Sequence, residues 1–162
     1  MIILGIDPGI GRCGWGVVKT INSSTTEVVD YGCIETKPNK KTEERLLEIS
    51  EELDAIIKKN KPDVLAIEEL FFGTNSKTAL TVGQARGVIL LEATRKKLSD
   101  FVYTPLQVKM SLTGYGRADK NQIGQMVKVL LKLEKIPKID DTSDALAVAL
   151  THVFSAKMES YK

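Results

Sequence analysis

The feature that most constrains this chain is its first strand. Ile2, Ile3, Leu4 and Ile6 make a run with no polar position, so as a strand it has both faces to bury and needs cover on either side. The run ends on Asp7, with Pro8 and Gly9 directly after it. A carboxylate there either forms a turn or stands at the rim of a rigid sheet, where a cation or a substrate can reach it.

The next residues predict the rest of that sheet. Gly14 to Lys19 reads as a second strand after a Gly-rich turn whose glycines can take positive φ, and Glu27 to Thr36 as a third. Short connections between the three make an antiparallel meander. Thr42 precedes a helical pattern with Leu46, Ile49, Leu53, Ile56 and Ile57 on one face, stopped by Asn60, Lys61 and Pro62. Val64 to Ile67 is a short strand ending on Glu68 and Glu69. Asn75 and Ser76 can cap a long helix to about Leu98, in which Gly83 and Gly87 permit close approach of another element. Phe101 to Thr104 is a fifth strand, broken by Pro105. Helices are expected near 106–112, near 121–133 and from Asp141 to Ala156. The expected fold is therefore a five-stranded mixed α/β sheet, an antiparallel meander followed by parallel strands, with helices on both faces.

With 162 residues, 43% of them hydrophobic, one domain over 1–162 is expected. Without a membrane-length apolar run or a basic leader, the expectation is a cytoplasmic protein with no membrane contact. Cys13 and Cys33 lack the spacing of a zinc site and read as free thiols. The net charge of +2 is unevenly distributed: between Phe101 and Lys138 seven bases meet only Asp119 and Glu134, a local +5 that leaves −3 elsewhere. That asymmetry suits a polyanion, although a solvated lysine-rich helix face has the same composition.

The acids carry the chemistry. Asp7 and Glu68 end strands, and Asp141 and Asp144 lie three apart on an otherwise apolar helix, hence on one face. If the two strands are neighbours and the helix crosses their C-terminal ends, four carboxylates converge. Such a set repels itself unless a cation neutralises it. Oxygen donors without His or Cys suit Mg²⁺ or Mn²⁺, and two such ions can activate water for phosphodiester hydrolysis. Each acid also has a plainer reading: Asp7 as turn former, Glu68 or Glu69 as an exposed strand end, Asp140, Asp141 or Asp144 as a helix cap. Asp144 is hardest to explain so, one turn into an apolar helix. His152, about 12 Å further along that helix, reads as structural.

GIDPG with its Gly-rich turn, AIE with a Phe three residues on, GQARG in the long helix, and DTSDALAVALTH together resemble the RuvC family of bacterial Holliday-junction resolvases, which have a ribonuclease H-like fold. The likeness runs in order over nearly the whole chain. It implies a homodimeric endonuclease that nicks a four-way DNA junction symmetrically and works with the branch-migration motor of the same pathway. It carries the family's four metal-binding catalytic acids onto Asp7, Glu68, Asp141 and Asp144. It also matches Phe71 to an aromatic at the crossover, with core filling by Phe71 or Phe72 as the alternative, and Lys109 and Lys120 to basic DNA-contacting positions. Arg12 in the opening turn and Arg86 in GQARG are further DNA candidates, Arg86 equally a structural ion-pair partner. The family pairs through the long helix, which places the expected dimer contact at Gly83 and Gly87.

Other classes compete. The opening strand, Asp and Gly turn also occur in actin-like and sugar-kinase ATPases, which cradle nucleotide phosphates but need a second such domain and a second Asp-x-Gly turn. Here the only further match, Asp30-Tyr31-Gly32, falls within a strand, so no small-molecule nucleotide is expected. A junction binder without chemistry would not need the acids. A relative acting on RNA is the nearest rival among nucleases.

Overall fold

The computed structural model describes residues 1–22, 25–70 and 76–159. Its order is β1 (Ile2–Asp7), β2 (Arg12–Thr20), β3 (Thr26–Glu35), α1 (Thr42–Asn60), β4 (Val64–Glu68), α2 (Ser76–Arg95), β5 (Ser99–Tyr103), α3 (Pro105–Thr113), α4 (Lys120–Leu130) and α5 (Asp140–Glu159). The strands lie in one sheet in the order β3-β2-β1-β4-β5. The first three form the antiparallel meander, and β4 and β5 run parallel to β1, as a mixed sheet requires.

Strand alternation assigns each side chain of β1 to a face. Leu4 and Ile6 pack with Ile49, Leu53, Ile57 and Ile89 under α1 and α2. Ile3 packs with Leu146, Leu150 and Val153 of α5, and with Val108 and Val127, under the helices of the other face. Gly5 and Asp7 follow Ile3 onto that second face. In β4 the same alternation sends Leu65 and Ile67 to the α1/α2 side and Ala66 to the α5 side, so Glu68 lies on the α5 side as well.

α5 lies almost on the backbone of the sheet. A Cβ at Gly5 would come 2.2 Å from the Ala145 carbonyl oxygen, and one at Gly14 would come 1.9 Å from that of Asp141. No other residue type leaves room for the helix there. Close packing is what brings the first turn of α5 to the C-terminal ends of β1 and β4.

Several expected boundaries shift for identifiable reasons. The Gly-rich turn contains no positive φ: among the described residues Gly114 is the glycine with one. Gly9 is needed for space instead, since a Cβ would stand 2.0 Å from the Arg12 carbonyl oxygen, and β2 resumes at Arg12. Helix α4 stops at Leu130, because Lys132 turns left-handed with φ of 53°. Thr42 is the first residue of α1, and the Lys41 N–H ahead of it donates to Glu44 Oε2 at 2.8 Å. Asn75 lies outside the described residues. Gly83 and Gly87 meet no second element among the described residues: a Cβ at Gly83 would touch only Leu70, at 3.9 Å, and one at Gly87 nothing within 4 Å.

Candidate active site

The site is built at the C-terminal edge of the sheet. The parallel register pairs Ile6 with Ile67, so one residue further Asp7 stands beside Glu68. Both acids share the α5 face, and α5 adds Asp144 from its second turn. Asp7, Glu68 and Asp144 line one pocket of about 330 Å³, together with Lys109 of α3, Lys120 of α4, and an apolar wall of Pro105, Val108 and Ile123. Helix caps fix the two lysine-bearing helices. The Thr104 hydroxyl accepts from Gln107 N–H at 3.1 Å with Pro105 at the first position of α3, and Asp119 Oδ1 accepts from Gln122 N–H at 2.8 Å at the start of α4.

Crowding and burial leave their mark on every member. Burial, then the charges of Glu68, Asp144 and Asp141, push Asp7 from the usual carboxylate value up to about 8. Asp7 is also hydrogen-bonded to Glu68, and that bond favours a proton on Asp7. Glu68 is also raised, chiefly by burial and against the pull of Asp7, Lys120 and Lys109. Asp144 is raised by burial although Lys120 Nζ stands 3.1 Å from its Oδ2. Lys120 is raised in turn by the charge of Asp144. The Lys120 ammonium at Asp144 supplies part of the positive charge that the acid set calls for.

Asp141 is half-buried and acts electrostatically on Asp7 and Asp144, but it does not line the pocket. Asp140 is exposed and sits with Lys120 and Asp144 around a separate hollow on the flank. Glu69 is exposed, and its N–H pairs with the Tyr103 carbonyl at 2.8 Å, which extends the β4–β5 ladder. Among the described residues no three His, Cys, Asp or Glu side chains are grouped closely enough to hold an ion as they stand. The donor set itself, carboxylate oxygens alone around a pocket that strains to stay ionised, fits a hard divalent cation.

The remaining candidates separate. Phe71 and Phe72 lie outside the described residues. Arg12 is on the same edge, at the start of β2, and makes a loose pair with Glu35 at 3.8 Å with both side chains more than half exposed. Arg86 is half-buried, and its Nε finds no hydrogen-bond partner among the described residues. His152 is buried, its Nδ1 2.8 Å from the Tyr103 hydroxyl and its ring 4.3 Å from that of Phe101, a structural role. Cys13 is buried and Cys33 half-buried, and burial pushes their thiols up to about 12 and about 11. Among the described residues no helix is long and apolar enough to cross a membrane.

Known proteins are similar to this chain along its length. Residues 3–152 match the family model described as crossover junction endodeoxyribonuclease RuvC. A protein of that name from Caldicellulosiruptor saccharolyticus is 56% identical over 162 residues, covering 100% of this chain and 98% of its own. Another from Alkaliphilus oremlandii is 57% identical over 152 residues, 94% of this chain and 92% of its own. Among solved structures, Thermus thermophilus RuvC in complex with a Holliday junction substrate superposes with a TM-score of 0.93 at 34% identity, covering 99% of this chain and 97% of that one. The yeast mitochondrial Holliday junction resolvase Ydc2 shares the fold, with a TM-score of 0.70 at 15% identity, covering 98% of this chain and 82% of that one. The sheet edge with its clustered acids, the match over residues 3–152 and the near-complete overlap with these relatives agree: this chain belongs to the crossover junction endodeoxyribonuclease RuvC family.

Proposed function

We propose that this chain, as a single nuclease domain, resolves four-way DNA junctions in recombination and repair by paired, metal-dependent nicks in two strands. The observation that carries the reading is the pocket in which Asp7, Glu68 and Asp144 meet under Lys109 and Lys120. A family of crossover junction endodeoxyribonucleases and a relative solved on a Holliday junction support it.

Asp7, Glu68 and Asp144, with Asp141 joining from its place beside them, are the groups that would hold Mg²⁺, or Mn²⁺ in its stead, as two ions. Bound there, the metal would supply a water acidic enough to attack a phosphodiester and would offset the charge gathering on the phosphate. The chain does the rest. To hold the metal, the Asp7–Glu68 pair would release its proton to solvent and Lys120 would leave Asp144, so that the acids present oxygens rather than a hydrogen bond and an ion pair. Lys109 and Lys120, freed toward the mouth, hold the phosphates on either side of the cut, and the wall of Pro105, Val108 and Ile123 limits water to the pocket. Arg12 adds a more distant phosphate contact, and Phe71 stacks on a base at the crossover.

Two coordinated nicks need two such sites, hence a homodimer. The outer face of α2 suits the contact: Gly87 opens on empty space, and Leu80 and Leu91 are 69% and 50% exposed. The branch-migration motor of the same pathway is the further partner this reading assigns. The test is a synthetic four-way junction labelled on each strand and incubated with and without Mg²⁺. Paired nicks at matching positions only with metal are expected; metal-independent cutting, or cutting of an RNA hairpin in preference to the junction, would overturn the reading.

A further inference from the structure

We infer that α3 and the connection from α3 to α4 form a stacking platform for an unpaired base next to the cut. Tyr115 supplies the ring, and Arg117 and Lys109 supply the phosphate contacts. The inference rests on the junction-cleaving reading above.

The connection is rigidly built. α3 closes at Gly114, which takes φ of 69° and donates its N–H to the Met110 carbonyl at 2.9 Å. The Thr113 hydroxyl accepts from the Tyr115 N–H at 3.0 Å and donates to the Lys109 carbonyl at 2.8 Å. Ala118 N–H reaches back to the Tyr115 carbonyl at 3.1 Å, and Asp119 then caps α4. Gly116 is pressed onto α3, where a Cβ would come 2.6 Å from Leu106 Cδ1.

On this fixed backbone Tyr115 is nevertheless 54% exposed, and Leu106 and Met110 of α3, which lie against the neighbouring Gly116, are 59% and 49% exposed. Three large apolar side chains facing water on an ordered surface call for something that covers them. The neighbouring charges say what. Arg117 in the connection is exposed and has no ion pair among the described residues, Lys109 on α3 lines the acid pocket, and the carboxylate of Asp119 is occupied as a helix cap. The surface is also continuous with the site: Tyr115 and Asn121 share one hollow, Asn121 and Lys120 the next, and Lys120 the acid pocket itself. An apolar platform rimmed by cations matches a flat base carried on a phosphate chain, and a ring there tolerates any base.

Four-way junctions with 2-aminopurine beside the cleavage position, titrated without divalent metal, test this. Tyr115→Ala is expected to weaken binding about ten-fold and to abolish the quenching of the probe. Tyr115→Phe keeps affinity within about two-fold, because the ring and not the hydroxyl does the stacking. Arg117→Ala lowers the slope of log K against log salt by about one. All three keep the wild-type melting temperature, since the side chains are exposed. A Tyr115→Ala chain that binds and quenches as wild type overturns the platform, and so does one whose oligomeric state changes in sedimentation, which would make the patch an interface between copies. A wild-type chain that binds no junction overturns the junction reading and the platform together, so the two failures are distinct.

Discussion

The two faces of the sheet solve opposite problems. Under α1 and α2 the sheet presents Leu4, Ile6, Val17, Leu65 and Ile67, and the helices answer with Ile49, Leu53, Ile57 and Ile89, all buried. That layer is held apart by bulk and held together by burial. Under α5 the sheet presents Gly5, Gly14 and Gly16, and the helix answers with its backbone at Asp141 and Ala145 and with the side chains of Leu146 and Ala149. Glycine there lets the helix backbone come nearer, and a near helix delivers Asp144 to the side of Asp7 and Glu68. One face is packed with large aliphatic side chains, and the other also brings like charges together at its edge.

Asp7→Asn strikes the second face alone and carries the largest expected effect. Replacing one oxygen by an amide removes a ligand and its charge, so metal-dependent nicking of a junction should fall by about a thousand-fold or more. Junction binding without metal should change little, because the basic rim is intact. Nicking at the wild-type rate would mean that the acids on this face do not form the reacting centre.

A paired substitution then tests the contrast directly. Leu53→Ala on the bulk face leaves a cavity and should cost about 2–5 kcal/mol, with the surviving folded molecules cutting normally. Gly5→Val forces side-chain atoms into the Ala145 carbonyl and should cost about 3 kcal/mol. In its folded fraction, measured by chemical denaturation and nicking per folded molecule, it should also lose most activity, because α5 and its acids are lifted away. Equal activity per folded molecule in both variants would erase the distinction between the faces.

Much of this was legible in the chain because a few residues have little choice. A strand apolar at every position had to be internal, and β1 occupies the centre of the sheet with the predicted bounds. Asp144, one turn into an apolar helix, was the acid hardest to read as a cap, and it lines the pocket. Where two acids stood adjacent, the sequence was ambiguous for a physical reason: β4 is apolar on both faces, so its period of two cannot be seen until α5 covers one of them. Only then does Glu68, and not Glu69, face Asp7. The glycines of the turn after β1 were read as sources of positive φ, where the fold needs Gly9 for close approach; the same need at Gly5 and Gly14 carried no sequence signal. Asp141, expected among four converging acids, stands beside the pocket, because the start of a helix can aim adjacent carboxylates to different sides and spacing alone does not choose. The platform around Tyr115 had no sequence signal beyond an aromatic between two glycines.

The smallest expected effect is on stability without metal, and it too separates the faces. Asp7 in the folded chain holds its proton up to about pH 8, whereas in the unfolded chain it releases it near the ordinary value of 3.8. Between those values the folded state binds more protons than the unfolded state, so stability must fall as pH rises from about 4 to about 8. Glu68 and Asp144, also raised, act in the same direction. With no metal present the melting temperature should therefore decline across this window, and added Mg²⁺ should restore it most at the alkaline end, where the acids are free to bind. Asp7→Asn keeps a donor toward Glu68 but has no proton to lose. It should melt about 3 °C or more above wild type at pH 8 and close to it at pH 4, roughly what 1 kcal/mol does in a chain of this size. Leu53→Ala, destabilised on the other face, should keep the wild-type slope with pH. A wild-type chain that grows more stable toward pH 8 without metal would show that the carboxylates are not crowded, and the glycine-lined face would then be an ordinary packing surface.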